Sequence, residues 1–126
     1  MRLLLDTHTL LWAVHAPERL PPKVLDAFDR AEVTVAVSAA STWEIAIKVA
    51  LGRLRFPIAE LPHALAAAAF EELPVRIAHG MAMAALPLIH RDPFDRLLIA
   101  QARHERMTLV TCDSAILRYP IDTLWD

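Results

Sequence analysis

The stretch RLLLDTHTLLWAV, Arg2 to Val14, changes character at a single residue. Arg2 to Asp6 is a short apolar run of the kind that makes a buried strand, and Thr7 to Val14 continues in a helical pattern. Asp6 stands at the joint, the last residue of the strand and a natural N-cap for the helix. The same passage recurs further along. EVTVAVS, Glu32 to Ser38, is a β-branched run followed by a helical pattern from Ala39 to Leu51 that Gly52 closes. RMTLVTCD, Arg106 to Asp113, is a third run, entered from a helical pattern over Phe94 to Glu105. Further helices are predicted over Pro22 to Ala31 and Leu61 to Phe70, and weaker strands at LPVRI, Leu73 to Ile77, and IDTLW, Ile121 to Trp125. Near-continuous apolar strands alternating with helices predict an α/β protein whose parallel sheet is covered on both faces.

Composition agrees with one such unit. A chain of 126 residues is long enough to bury roughly two thirds of its unfolded surface without disulfides or a structural metal, so a single domain over residues 1–126 is expected. With two glycines and nine prolines the chain is compactly punctuated, and it shows no repeat, low-complexity tract or flexible linker. Hydrophobic residues make up 56%. The longest unbroken apolar run, ALAAAAF from Ala64 to Phe70, is nevertheless far short of the ~20 residues of a membrane span, and no membrane association is expected. The opening resembles a secretory signal only superficially, because Asp6 and His8 interrupt it and no small-residue cleavage site follows. The lone Cys112 cannot form an internal disulfide, and no Cys/His spacing suits zinc. A cytoplasmic location is the expectation. The net charge of −2 does not advertise nucleic-acid binding, so any such binding must be local or assisted by a cation.

In parallel sheets of this kind ligands gather beyond the carboxyl ends of the strands. Asp6 and Asp113 each close a strand, Glu44 lies in the helix after VTVAVS, and Asp95 opens the helix that feeds the strand ending at Asp113. These carboxylates, far apart in sequence, would converge at one end of one sheet. Each also has a purely structural reading. Ser41 to Glu44, STWE, matches a capping box, although Ser38 is an equally good N-cap and would leave Glu44 free in the second turn. In DPFD, Asp92 suits the N-cap before Pro93, with Asp95 an acid near the positive helix end. Asp6 suits a cap, and Asp113 suits the start of a DSAI turn.

A carboxylate cluster that stays ionised needs a cation, since like charges a few ångströms apart otherwise drive one acid to hold its proton. All-oxygen donors suit a hard ion, Mg²⁺ with Mn²⁺ as a substitute, better than zinc. Such an ion holds a phosphodiester and lowers the pKa of a water. Lys48, Arg91 and Arg96 are then candidate phosphate contacts, with solvated surface charges the plainer reading.

Taken together, LLLDTHTLLWA, SAASTWEIAIKVALGRL, HRDPFDRLLIAQA and LVTCDSAI resemble, in order and register, the PIN-domain ribonucleases, specifically the toxins of the VapC type. The resemblance spans nearly the whole chain. It implies a three-layer α/β/α sandwich with a central, mainly parallel sheet of about four to five strands. It further implies Mg²⁺-dependent hydrolysis of RNA by activated water, and neutralisation by a cognate antitoxin protein. Carried over by position, it makes Asp6, Glu44, Asp95 and Asp113 the catalytic and metal-binding acids and Thr7 and Thr111 hydroxyl neighbours that hold acids or water. Asp92 keeps its structural role as N-cap.

Other readings are weighed on the same residues. An aspartyl phosphatase wants an aspartate where His8 stands. A phospho-receiver domain wants paired acids after its first strand and a lysine where LVTCD has none. A histidine-pair ribonuclease would draw on His8 and His90, which show no fixed pairing. A non-catalytic module binding RNA or a partner through the same acidic pocket is the alternative of a different class, and metal-dependent turnover separates the two. The Ala-rich helix and Trp12 read either as core or as an apolar surface for a homodimer.

Overall fold

The computed structural model describes all 126 residues, Met1–Asp126. Its strands are β1 (Arg2–Leu5), β2 (Thr34–Ser38), β3 (Glu71–Leu73), β4 (Thr108–Val110) and β5 (Thr123–Leu124). They form one sheet in the order β3-β2-β1-β4-β5, with every neighbouring pair parallel. The helices are α1 (Thr7–His15), α2 (Pro22–Phe28), α3 (Ala39–Ala50), α4 (Leu61–Ala67), α5 (Ile77–Ala82) and α6 (Pro93–Glu105). No helix is long and apolar enough to cross a membrane.

The period of two along each strand divides the core between the faces of the sheet. Leu3, Leu5, Val35, Val37 and Val110 join Leu10 of α1, Val24 and Ala27 of α2 and Ile45 of α3 in one cluster. Leu4, Ala36 and Leu109 join Leu98, Ile99 and Ala102 of α6 in the other. The result is an α/β/α sandwich, as the apolar alternation predicts. β1 is buried on both faces, with Leu3, Leu4 and Leu5 fully enclosed.

The region after β2 departs from the sequence expectation. LPVRI is not a strand: pairing ends at Leu73, just before Pro74, which has no N–H to donate. The strand instead begins earlier, with Glu71 and Glu72 at the sheet's edge, and Ile77 opens the unforeseen α5. Helix α4 stops at Ala67, and Ala69 adopts a left-handed φ of 58° where no glycine gives warning. Gly52, with φ 71°, does close α3 as its position suggests. The Ala-rich helix buries Leu61 and leaves Ala66 to Ala69 exposed, while Trp12 is half-buried against Trp125.

Candidate acidic site at the strand ends

In this strand order the chain leaves β1 toward β2 on one side, whereas β4 lies on its other side. The reversal opens a crevice beyond the carboxyl ends of β1 and β4. Asp6 follows β1 directly and Thr111, Cys112 and Asp113 follow β4. Asp6 does cap α1, accepting the Thr9 N–H at 2.8 Å through Oδ1. Its second oxygen, Oδ2, accepts the Thr111 hydroxyl at 2.5 Å. Burial pushes the Asp6 carboxyl up from its ordinary value, while the bonds from Thr111 and Thr9 pull it back. Thr111 is fully buried, and its oxygen also accepts the Asp113 N–H at 3.0 Å, so one hydroxyl ties two of the acids together. Asp113 is exposed and accepts the N–H groups of Ala115 and Ile116, the turn role its sequence allows. The Cys112 thiol between them is pushed up by burial and then by Asp6 and Asp113.

Glu44 comes from α3. Ser38 is the N-cap, accepting the Ala40 N–H at 3.0 Å, so the capping box does not form and Glu44 projects from the second turn. It is buried, with Oε1 accepting the Thr7 hydroxyl at 2.7 Å and Oε2 paired with Lys48 Nζ at 2.8 Å. Ser41 Oγ lies 3.0 Å from the Thr7 hydroxyl, behind it. Thr7 therefore fixes α3's acid to the first turn of α1, and Lys48 is engaged with the acid rather than standing free.

Asp95 comes from α6. Asp92 Oδ1 accepts the N–H groups of Phe94 and Asp95, and Pro93 occupies the first helical position. Removing that cap as Asp92→Ala is expected to cost about 0.5 to 2 kcal/mol of stability in urea unfolding. Asp95 lies one step further round the helix, half-buried, and its carboxyl is pushed up to about 6, by burial first and then, against a hydrogen bond from His90, by Asp92, Asp113 and Glu44. Acids from separate elements thus share one electrostatic field.

Arg96 does not face this crevice as a phosphate contact. It is buried, its guanidinium donating to the Pro87 carbonyl and to the Tyr119 hydroxyl, each at 2.9 Å. Its neighbour in sequence, Asp95, takes the opposite role because a helix turns each successive side chain by about 100°.

No three of the chain's His, Cys, Asp and Glu side chains converge closely enough to form a ready cage for a metal ion. A hard cation does not require one. Mg²⁺ is held by one or two carboxylates and keeps several waters, and the acids here are oxygen donors whose mutual repulsion at Asp95 a cation would relieve. The donor set fits Mg²⁺ or Mn²⁺.

Residues 3–122 match the PIN domain family. The chain belongs to that family. Its members are typically nucleases. The PIN domain is similar to VapBC2 from Rickettsia felis, solved bound to a DNA fragment from its promoter, with TM-score 0.76, 18% identity and 100% of each chain covered. It is similar to FitAcB from Neisseria gonorrhoeae at TM-score 0.62 and 21% identity, covering 97% of this chain and 96% of that one. A toxin-antitoxin complex from Klebsiella pneumoniae gives TM-score 0.58 and 18% identity over 97% and 95% of the two chains. At such identities the likeness is one of fold. No curated protein matches the chain.

Around its acids the PIN domain carries a network that the sequence does not reveal. The Tyr119 hydroxyl accepts from Arg96 and from the His90 backbone N–H, so its own proton goes to His90 Nδ1, 2.7 Å away. That leaves the proton of a neutral His90 on Nε2, which donates to Asp95 Oδ2 at 3.2 Å. His90 is thereby committed to Asp95, while His8 packs its ring on Trp12. The imidazoles that do meet, His79 and His104, sit beside Glu105 at the far end of α6, about 15 Å along the helix from Asp95.

Proposed function

We propose that this PIN domain, spanning residues 1–126, is a cytoplasmic metal-dependent endoribonuclease that acts as the toxin of a VapC-type toxin–antitoxin pair. The observation that supports the reading is that Thr111 links Asp6 to the Asp113 backbone beyond the ends of β1 and β4, while Asp113 and Glu44 both act on the charge of Asp95. Asp6, Glu44, Asp95 and Asp113 would hold Mg²⁺ or Mn²⁺, which when bound supplies the charge that grips a phosphodiester and lowers the pKa of a water. The chain's own groups prepare that site. Thr111 holds Asp6 ionised in a buried setting and ties it to Asp113. Thr7 and Lys48 fix Glu44, and His90 steadies Asp95.

The toxin assignment is supported by the similar folds, which come from VapBC2 and from a toxin-antitoxin complex. An antitoxin that inserts an arginine among these acids would match their chemistry, because a planar guanidinium binds a carboxylate bidentately.

The chemistry is tested by the ends it leaves. If water attacks the phosphorus, the ribose 2′-hydroxyl takes no part and the products carry 5′-phosphate and 3′-hydroxyl ends. Purified protein free of antitoxin, incubated with mixed RNA with and without Mg²⁺, should give those ends only with the ion. Cyclic 2′,3′-phosphate ends that persist in EDTA overturn the reading and return attention to the histidines.

A further inference from the structure

Among the Trp, Phe and Tyr side chains of this protein Trp43 alone is exposed, at 61%. An indole left in water has an explanation when its place is considered. Trp43 immediately precedes Glu44, and the ring that braces it edge-on, Phe94, immediately precedes Asp95, with centroids 5.1 Å apart and planes at 73°. The contact bridges α3 and α6, the two helices that carry Glu44 and Asp95, so the aromatic pair closes the α3–α6 seam beside those acids. Phe94 holds the indole's attitude without covering it. Beside Trp43 opens a hollow of about 350 Å³ between the end of β2 and α4, lined by Ser38, Thr42, Ala46, Leu65 and Glu72.

We infer that Trp43, braced by Phe94, is a stacking platform for one unpaired nucleobase of the RNA strand whose phosphate lies at the acids; this rests on the ribonuclease reading. Single-stranded RNA is recognised by stacking splayed bases on aromatic rings. Every base has a π-face, so the contact is tolerant of sequence. A strand whose phosphate reaches Glu44 and Asp95 carries its flanking nucleotide across the residues next to them. The platform supplies apolar affinity where the net charge of −2 supplies no attraction for the backbone.

The test uses a short single-stranded RNA that the wild-type protein cleaves in Mg²⁺, with kcat and KM measured for Trp43→Ala, Trp43→Leu and Trp43→Phe. Loss of a stacked base corresponds to roughly a ten- to hundredfold loss of affinity. Trp43→Ala should therefore raise KM by that factor with kcat unchanged, the pattern of lost uniform binding. Trp43→Phe keeps a π-face and should recover most of it. Trp43→Leu keeps apolar bulk alone and should not, which separates stacking from packing. In a second arm, abasic nucleotides are placed one at a time around the cut. One position should cost the wild type the same factor and cost Trp43→Ala almost nothing more. If Trp43→Leu behaves as wild type, or the abasic penalties are equal in both proteins, the platform is wrong. It is equally wrong if Trp43→Ala binds RNA normally and loses only its grip on a co-expressed antitoxin. A wild-type protein that cleaves no RNA with either Mg²⁺ or Mn²⁺ fails the ribonuclease reading itself, and the platform with it.

Discussion

Asp95→Asn is expected to abolish Mg²⁺-dependent cleavage and, at neutral pH, to make the protein more stable. The two effects have one cause. Asp95 is held ionised in a place that resists ionisation, its carboxyl pushed up to about 6 by burial and by Asp92, Asp113 and Glu44. Between the unfolded value of 3.8 and about 6 the folded state binds more proton than the unfolded state. Stability therefore falls as pH rises through that window, and above it the full penalty is present. At 1.36 kcal/mol per unit this is at most about 3 kcal/mol. Asn carries no charge and keeps an oxygen for His90, so the variant should unfold at higher temperature at pH 7.5 and near the wild-type value at pH 4. On the catalytic side, losing a residue that merely orients a metal ligand costs about 10- to 100-fold, so with Asp95 in its proposed role as a ligand the loss of its charge should exceed about a hundredfold in kcat/KM. Unfolding curves at both pH values beside single-turnover cleavage measure both. An Asp95→Asn protein that remains active, or one whose stability gain is the same at pH 4 and pH 7.5, refutes this account of Asp95.

The same electrostatics explain why the site is legible in the sequence only in part. Asp6 and Asp113 can be read because a strand ends where the apolar run meets its first acid, and parallel sheets put such ends together. The competing structural readings of Asp6 and Asp113 are equally real: one oxygen of Asp6 caps α1 and one of Asp113 closes a turn. A carboxylate has two oxygens, so cap and functional acid do not exclude one another. Glu44 is decided by a single hydrogen bond, from the Ala40 N–H to Ser38, which sets the helix start three residues upstream of the capping box. Arg96 misleads as a phosphate contact because its burial depends on Tyr119, twenty-three residues away, and no local pattern carries that contact. His90 and Tyr119 are opaque for the same reason. The edge of the sheet fails on weaker ground: Glu71 and Glu72 carry no strand periodicity, and what makes them a strand is pairing with Ala36 and Val37. Helix α5 contains Gly80 and leaves Ile77 and Met81 exposed, so neither propensity nor amphipathicity announces it.

Thr111→Val tests whether a hydroxyl, rather than an acid, sets the working pH of the site. Valine fills the same volume in a fully buried position but neither donates to Asp6 nor accepts from the Asp113 N–H. Burial already raises the Asp6 carboxyl, and the Thr111 bond is the largest of the influences that oppose it. Without that bond Asp6 should rise further and hold its proton to higher pH. The folded state then binds excess proton over a wider range, so stability falls with rising pH over that wider range as well. A hydrogen bond to a charged group contributes about 1.5 to 3 kcal/mol. Thr111→Val should lose that much on the alkaline side of the Asp6 ionisation and clearly less on its acidic side, where protonation removes the charge the hydroxyl serves. The acidic limb of the cleavage profile should move to higher pH in step, and Thr111→Ser, which keeps the donor, should move it back. Equal destabilisation on both sides of that ionisation with an unshifted limb would make Thr111 a packing residue, and would leave the burial of Asp6 opposed chiefly by the bonds from Thr9.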